Sequence, residues 1–288
     1  LTYILVTPGT TEVGAGADLE FSAIGYDQFN NTVPGLGFIW WTDVGSMSGT
    51  VLTAQTVAGI SGHVTASYGM VVGTASVAIV PSEFDHIDVS PSSVSVAAAS
   101  EKTFTATGLD VYGNVISGLT FEWSTNVGAV DDEGVFTAQE TAGVTGYVRA
   151  SANDKIGDAS VSVVPAQLAY ILVTPDDTDV IAGTTEGFVA AGYDLYGNAI
   201  PGLTYTWTTD VGEMTGAVLT AMTESGISGY VKASSGPVSG YASVTILPAS
   251  PDHIDISPVD LSATAGSSTQ FTALVKDMYN NSVTGLTI

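Results

Sequence analysis

Ile4, Ile87, Ile171 and Ile254 occupy the same place in the segments YILVTP, HIDVSP, YILVTP and HIDISP, at spacings of 83, 84 and 83 residues. Trp40, Trp123 and Trp207 recur in that frame, as do Gly45, Gly128 and Gly212, and Pro81, Pro165 and Pro248. A period this long means a unit that carries its own core and is strung in series, so the repeat takes precedence over any inference from total length. Four repeats follow: 1–83, 84–167, 168–249 and an incomplete 250–288. Ile288 aligns with Phe38, Phe121 and Tyr205, two residues short of the Trp position. Half a unit leaves strand edges unpaired, so the expectation is that the natural protein continues or that another chain completes the fold.

Within a repeat the pattern is that of strands. In LTFEWST, Leu119, Phe121 and Trp123 fall on one face and Thr120, Glu122 and Ser124 on the other, the two-residue period of a half-buried β-strand. Clusters of Gly, Pro and Asn break the runs, and no segment has a helical period. About seven short strands per unit with one Trp on the third main strand read as an immunoglobulin-like sandwich. The fold class expected is all-β, tandem immunoglobulin-like β-sandwiches arranged end to end as a rod. The chain has no cysteine, so no disulfide joins the sheets. Trp40, Trp123 and Trp207 are then expected to pack in the cores on aliphatic side chains.

One turn recurs four times: YDQFNN from Tyr26, LDVYGN from Leu109, YDLYGN from Tyr193 and KDMYNN from Lys276. Asn30, Gly113, Gly197 and Asn280 share one position. Only Gly and Asn tolerate positive φ readily, so their exchange marks a left-handed turn. The preceding Asp27, Asp110, Asp194 and Asp277 are expected to accept hydrogen bonds from turn amides, with calcium as the alternative.

These repeats resemble the bacterial immunoglobulin-like (Big) domains of bacterial and archaeal surface proteins, most closely in GAVDDEGVFTA and GYVRAS. GSMSGTVLTA and GEMTGAVLTA in the first and third repeats depart from that pattern. The resemblance implies a structural or adhesive role outside the cell and supplies no catalytic residues.

Charge and residue chemistry narrow the function. Twenty-nine acids against five bases give a net charge of −24, which repels a phosphate backbone and disfavours nucleic acid as a partner. No apolar run reaches the ~20 residues that span a bilayer, so no direct membrane insertion is expected of this segment. His86 and His253 stand where Tyr3 and Tyr170 stand, and His63 where Tyr147 and Tyr230 stand. A ligand or general base does not exchange freely with tyrosine, so an enzyme is not expected. Asp85 and Asp88, and Asp252 and Asp255, lie at two of the junctions and are the candidate ligands for a Ca2+ ion, with solvated surface charge as the alternative. Asn30 in NNT and Asn280 in NNS are candidate glycosylation sites.

The first repeat departs from the others on one face. Ile39 and Trp41 replace Glu122 and Ser124 of the second repeat and Thr206 and Thr208 of the third, and SYGMVVG replaces SANDKIG and SSGPVSG. Ile39, Trp41, Tyr68, Met70 and Val71 are therefore a candidate protein interface. The function expected is a non-enzymatic extracellular structural protein, a subunit of a filament, sheath or S-layer-like array on the cell surface, formed by self-assembly or with other surface proteins. The alternatives are the stalk of an adhesin and a spacer or carbohydrate-binding module of a secreted enzyme.

Overall fold

The computed structural model describes residues 1–287; Ile288, aligned above with Phe38, lies outside the described residues. Every regular element among the described residues is a β-strand. By compactness the chain divides into two units. The first comprises residues 1–96, 100–139 and 144–163; the second comprises residues 97–99, 140–143 and 164 onward.

The first repeat shows how the sequence makes a sandwich. Its strands are β1 (Tyr3–Thr7), β2 (Thr10–Gly14), β3 (Asp18–Glu20), β4 (Ser22–Tyr26), β5 (Thr32–Val33), β6 (Ile39–Thr42), β7 (Gly45–Ser48), β8 (Val51–Ala54), β9 (Ser61–Tyr68) and β10 (Val71–Val80). They form three sheets, ordered β1-β4-β5, β2-β10-β9-β6 and β3-β8-β7. β1 and β2 are two parts of one run broken at Pro8, which has no N–H with which to continue the ladder. Before the break, Ile4 pairs antiparallel with Gly25; after it, Val13 pairs parallel with Ile79 in the other sheet. The chain thus crosses between sheets at its first proline.

Alternation places the core. Along β10, Ala75, Val77 and Ile79 are buried while Thr74 and Ser76 are exposed. Phe21, Leu52, Val64 and Ala66 meet them from the other strands. Phe104 and Phe136, edge to face at 6.1 Å, take the corresponding place in the second repeat. Phe188 and Leu219 do so in the third.

The tryptophans are placed differently from the buried kernel expected of them. Trp40, Trp123 and Trp207 are half-buried, because each lies on the edge strand of its four-stranded sheet. Trp40 and Trp207 pack against their cores from that margin. The interior itself is filled by Phe, Leu, Ile, Val and Ala.

The residue added in the second repeat is absorbed in the tip of a hairpin. Asp131 Oδ1 accepts Glu133 N at 3.1 Å and Val135 N at 2.8 Å, and Gly134 turns the chain at a φ of +80°. In the fourth repeat the strands Pro251–Ser257 and Thr272–Asp277 pair with each other.

Candidate functional site: the repeat lock and an apolar sheet face

The recurring turn carries a polar network that repeats along the chain. Asn30, Gly113, Gly197 and Asn280 have φ values of 66°, 83°, 83° and 74°, the left-handed conformation that the Gly/Asn exchange indicates. In the second repeat, Asp110 Oδ1 accepts Tyr112 N at 2.9 Å and Asn114 N at 2.8 Å. Its Oδ2 accepts Asn114 Nδ2 and Ser82 N, both at 2.8 Å. Ser82 belongs to the linker, 28 residues earlier. The carboxylate therefore joins its own turn to the linker.

Asn114 reaches further back. Its Nδ2 donates to Thr56 O at 2.8 Å and its Oδ1 accepts Ala58 N at 2.9 Å, a two-point grip on a loop of the first repeat. The Tyr112 hydroxyl lies over Gly16, where a Cβ would overlap the ring. The same constellation recurs inside the second unit. There Asn198 grips Glu140 O and Ala142 N, and Asn281 grips Thr223 O and Ser225 N. Asp194 and Asp277 accept the linker amides of Ala166 and Ala249 at 2.8 Å. Residues 140–143 belong by sequence to the second repeat, yet fall in the second unit with Asn198.

Asp110, Asp194 and Asp277 are the buried charged residues of the described chain, each with no exposed surface. Burial by itself raises a carboxyl pKa. Here four hydrogen bonds to each carboxylate outweigh it, chiefly those from the Asn side chain and the linker amide, and all three aspartates titrate below the ordinary range. A buried charge is tolerable only when paired or fully hydrogen-bonded, and N–H donors meet that need here. Asp27 makes the same turn, with Phe29 N and Asn31 N donating to Oδ1.

The candidate calcium ligands lie elsewhere. Asp85 Oδ2 sits 2.9 Å from His86 Nδ1 and Asp252 Oδ2 3.0 Å from His253 Nδ1. Asp88 and Asp255 are exposed on strands. Among the described residues no three His, Asp or Glu side chains gather as a metal site.

At the position shared by His63, Tyr147 and Tyr230 the histidine and tyrosine exchange has a backbone cause. His63 N donates to Asp43 Oδ1, and Tyr147 N and Tyr230 N donate to Asn126 and Asp210 in the same way. Thr42, Thr125 and Thr209 donate to the carbonyls of those three residues. The fold holds the main chain there, while the His63 side chain is 55% exposed and the Tyr230 ring packs edge to face on Tyr241.

Ile39 and Trp41 lie on the outer face of the sheet β2-β10-β9-β6, 73% and 59% exposed, and Met70 stands fully exposed at the hairpin tip. Tyr68 is exposed as well, but it lies directly opposite Val71 and so belongs to the other face of the sheet, away from the expected interface. Val71 turns the other way and packs against the core, because strand alternation puts Val72 outside, at 54% exposure. The candidate glycosylation sites, Asn30 and Asn280, are both exposed at turns. Asn30 Oδ1 accepts the Tyr3 hydroxyl at 2.7 Å.

No family model matches the chain. Ice-binding protein 1 of Shewanella frigidimarina (strain NCIMB 400) is 26% identical over 200 residues, covering 67% of this chain and 22% of that protein. The chain thus corresponds to less than a quarter of that relative. The solved structure of FdeC, an Escherichia coli adhesin, matches with a TM-score of 0.50 at 17% identity, over 85% of this chain and 96% of that one. Invasin, a bacterial integrin-binding protein, matches at 14% identity and a TM-score of 0.45, over 87% of this chain and 61% of that one. The likeness to FdeC is one of fold: this chain is all-β, built of tandem immunoglobulin-like β-sandwiches.

The turn aspartates are legible in the sequence as amide acceptors; the role of the asparagines four residues on is not. Their signal is visible once sought: Asp27/Asn31, Asp110/Asn114, Asp194/Asn198 and Asp277/Asn281 are invariant across all four repeats, while the residue before each Asn varies between Gly and Asn.

Proposed function

We propose that this is a non-enzymatic extracellular structural protein, part of a cell-surface filament, sheath or S-layer-like array built of repeats of the bacterial immunoglobulin-like type, with boundaries near residues 83, 167 and 249. The observation that carries this reading is the lock: Asp110 with Asn114, Asp194 with Asn198, and Asp277 with Asn281. The aspartates are buried and fully hydrogen-bonded, and with their asparagines they are directed at linkers and loops of the chain itself instead of at a ligand. Such coupling is what a load-bearing or lattice-forming array of repeats requires. The resemblance to Big domains and the likeness to Ice-binding protein 1 support a place outside the cell. Asn30 and Asn280 are glycan acceptors in this reading, and the partners are further copies or other surface proteins.

A second reading, the stalk of an adhesin or a spacer in a secreted protein, is favoured by one observation. The stretch resembling this chain makes up 22% of Ice-binding protein 1, so in that relative such repeats accompany much other sequence. Immunogold electron microscopy of native cells with antibody to repeats 1–3 tests both. Label on regular filaments or sheets supports the array, label on isolated projections supports the stalk, and label confined to the cell interior overturns both. Glycopeptide mass spectrometry of the same material tests Asn30 and Asn280.

A further inference from the structure

We infer that the outer face of β6, β9 and β10 in the first repeat is a self-association surface whose occupant is the same face of a second copy of this chain. The inference rests on the array reading and names the contact that would build it.

The register lays the face out as rows. Ile39 lies opposite Ser67, which lies opposite Val72; Trp41 lies opposite Thr65, which lies opposite Thr74; His63 lies opposite Ser76. Met70 stands fully exposed at the hairpin between β9 and β10. Apart from Ile39, Trp41, His63 and the aliphatic Val72, Ala78 and Val80, the outward positions of these three strands are Ser and Thr, and none is Asp, Glu, Lys or Arg. The corresponding faces elsewhere are charged. In the second repeat they carry Glu122, Arg149 and Asp158, the last two joined in an ion pair at 2.7 Å. In the third they carry Lys232.

Charge selects the occupant. The first 83 residues contain six acids and no Lys or Arg, so most approaches of one copy to another bring carboxylates together. The three strands β6, β9 and β10 present no carboxylate, the sheet's outward acid being Glu12 on the far edge strand β2, so two such copies can touch over these three strands with the least of that cost. A cationic partner would find carboxylates only at the margins, Glu12 on β2 and Asp43 beside His63, and none over the apolar Ile39 and Trp41 end of the face. Sheet faces pack naturally at about 10 Å with side chains interleaved, and an isologous contact places the Trp41 side chains of both copies near one two-fold axis. The aromatic and Met side chains supply the buried apolar centre, and the Ser and Thr rows supply hydroxyls able to pair with their own kind.

Sedimentation velocity of the full chain against concentration and salt tests the contact. The expected result is dimerisation that strengthens as salt screens the net charge of −24 and weakens about tenfold or more in Trp41→Ser, with Ile39→Ser acting in the same direction. Because the chain has no cysteine, Thr74→Cys under copper-phenanthroline air oxidation is expected to give a covalent dimer. Ser243→Cys, on the third repeat, is expected to stay monomeric. A monomer at all salt concentrations, or dimers indifferent to Trp41→Ser and cross-linked equally through Ser243→Cys, overturns the inference. The two readings fail separately. Native polymers that persist with Trp41→Ser leave the array reading standing without this contact, whereas a Trp41-dependent dimer in a protein absent from any surface polymer leaves the contact and removes the array.

Discussion

Asn114 binds Thr56 O and Ala58 N, 58 and 56 residues earlier in the chain, through the two ends of one side-chain amide. Its Nδ2 also donates to Asp110. Asn114→Ala removes the grip while leaving the Asp110 turn amides in place. A net loss of ~1–3 kcal/mol is expected from hydrogen bonds of this kind, one of them to a charged group. The loss falls on the coupling between the first and second repeats. Differential scanning calorimetry is expected to show their shared melting split into two transitions, and proteolysis within Pro81–Asp85 to accelerate. An unchanged single transition would show that Asn114 does not couple the repeats.

Acid should release the lock in a defined direction. Asp110, Asp194 and Asp277 all have lowered pKa values in the folded protein, against an ordinary value of 3.8. A lowered folded pKa means that the ionised form stabilises the fold, so the contribution is complete above the ordinary value and is lost as pH falls below it toward the folded value. Thermal stability is expected to be flat from neutrality to about pH 5 and to decline below about pH 4. Asp110→Asn should lower stability at neutral pH and flatten the acid decline. A melting temperature in the double-repeat region that falls between pH 7 and 5 would point to other groups.

The fold was legible in the sequence because alternation and turn chemistry are local. β10 reads as a strand from its own residues, and the exchange of Gly113 with Asn30 reveals φ without any neighbour. The long-range parts were not legible. Nothing local to Asn114 says that its amide meets Thr56, and only its invariance beside Asp110 hints at a shared task. Trp123 looked like a kernel because its strand alternates, yet alternation does not say that the strand is an edge. Val71 and Val72 show the limit at hairpins, where one residue of register moves a side chain from surface to core.

Edge placement changes what loss of a tryptophan should cost. Trp123 is half-buried and its ring borders Gly134, so Trp123→Ala should cost roughly 2–3 kcal/mol, below the ~3–5 kcal/mol of a fully enclosed ring. That is less than the ~5–15 kcal/mol that holds a typical domain. The second repeat should therefore stay folded at 25 °C with a lowered melting temperature, as circular dichroism and tryptophan fluorescence would record. Outright unfolding at that temperature would mean that the ring carries more of the core than its burial implies.

Two substitutions of the smallest side chains should act in opposite directions within the second repeat. Gly157 faces Ile87 where the two sheets meet, and a Cβ on it would overlap the Ile87 carbonyl oxygen, which is backbone and cannot swing aside. Gly157→Ala should destabilise by ~1–3 kcal/mol through overpacking. Ala99 is the reverse case. It holds a φ of +56° at the position where Gly16, Gly183 and Gly266 stand in the other repeats. A left-handed L-residue costs ~1–2 kcal/mol, and glycine gives back ~0.4–1 kcal/mol through the greater freedom of its unfolded chain. Ala99→Gly should therefore stabilise by roughly 0.5–1 kcal/mol. Denaturant titration of both variants checks the pair, with midpoints moving apart and slopes unchanged; movement of both midpoints in the same direction would mean that the local backbone geometry at these two positions does not govern stability.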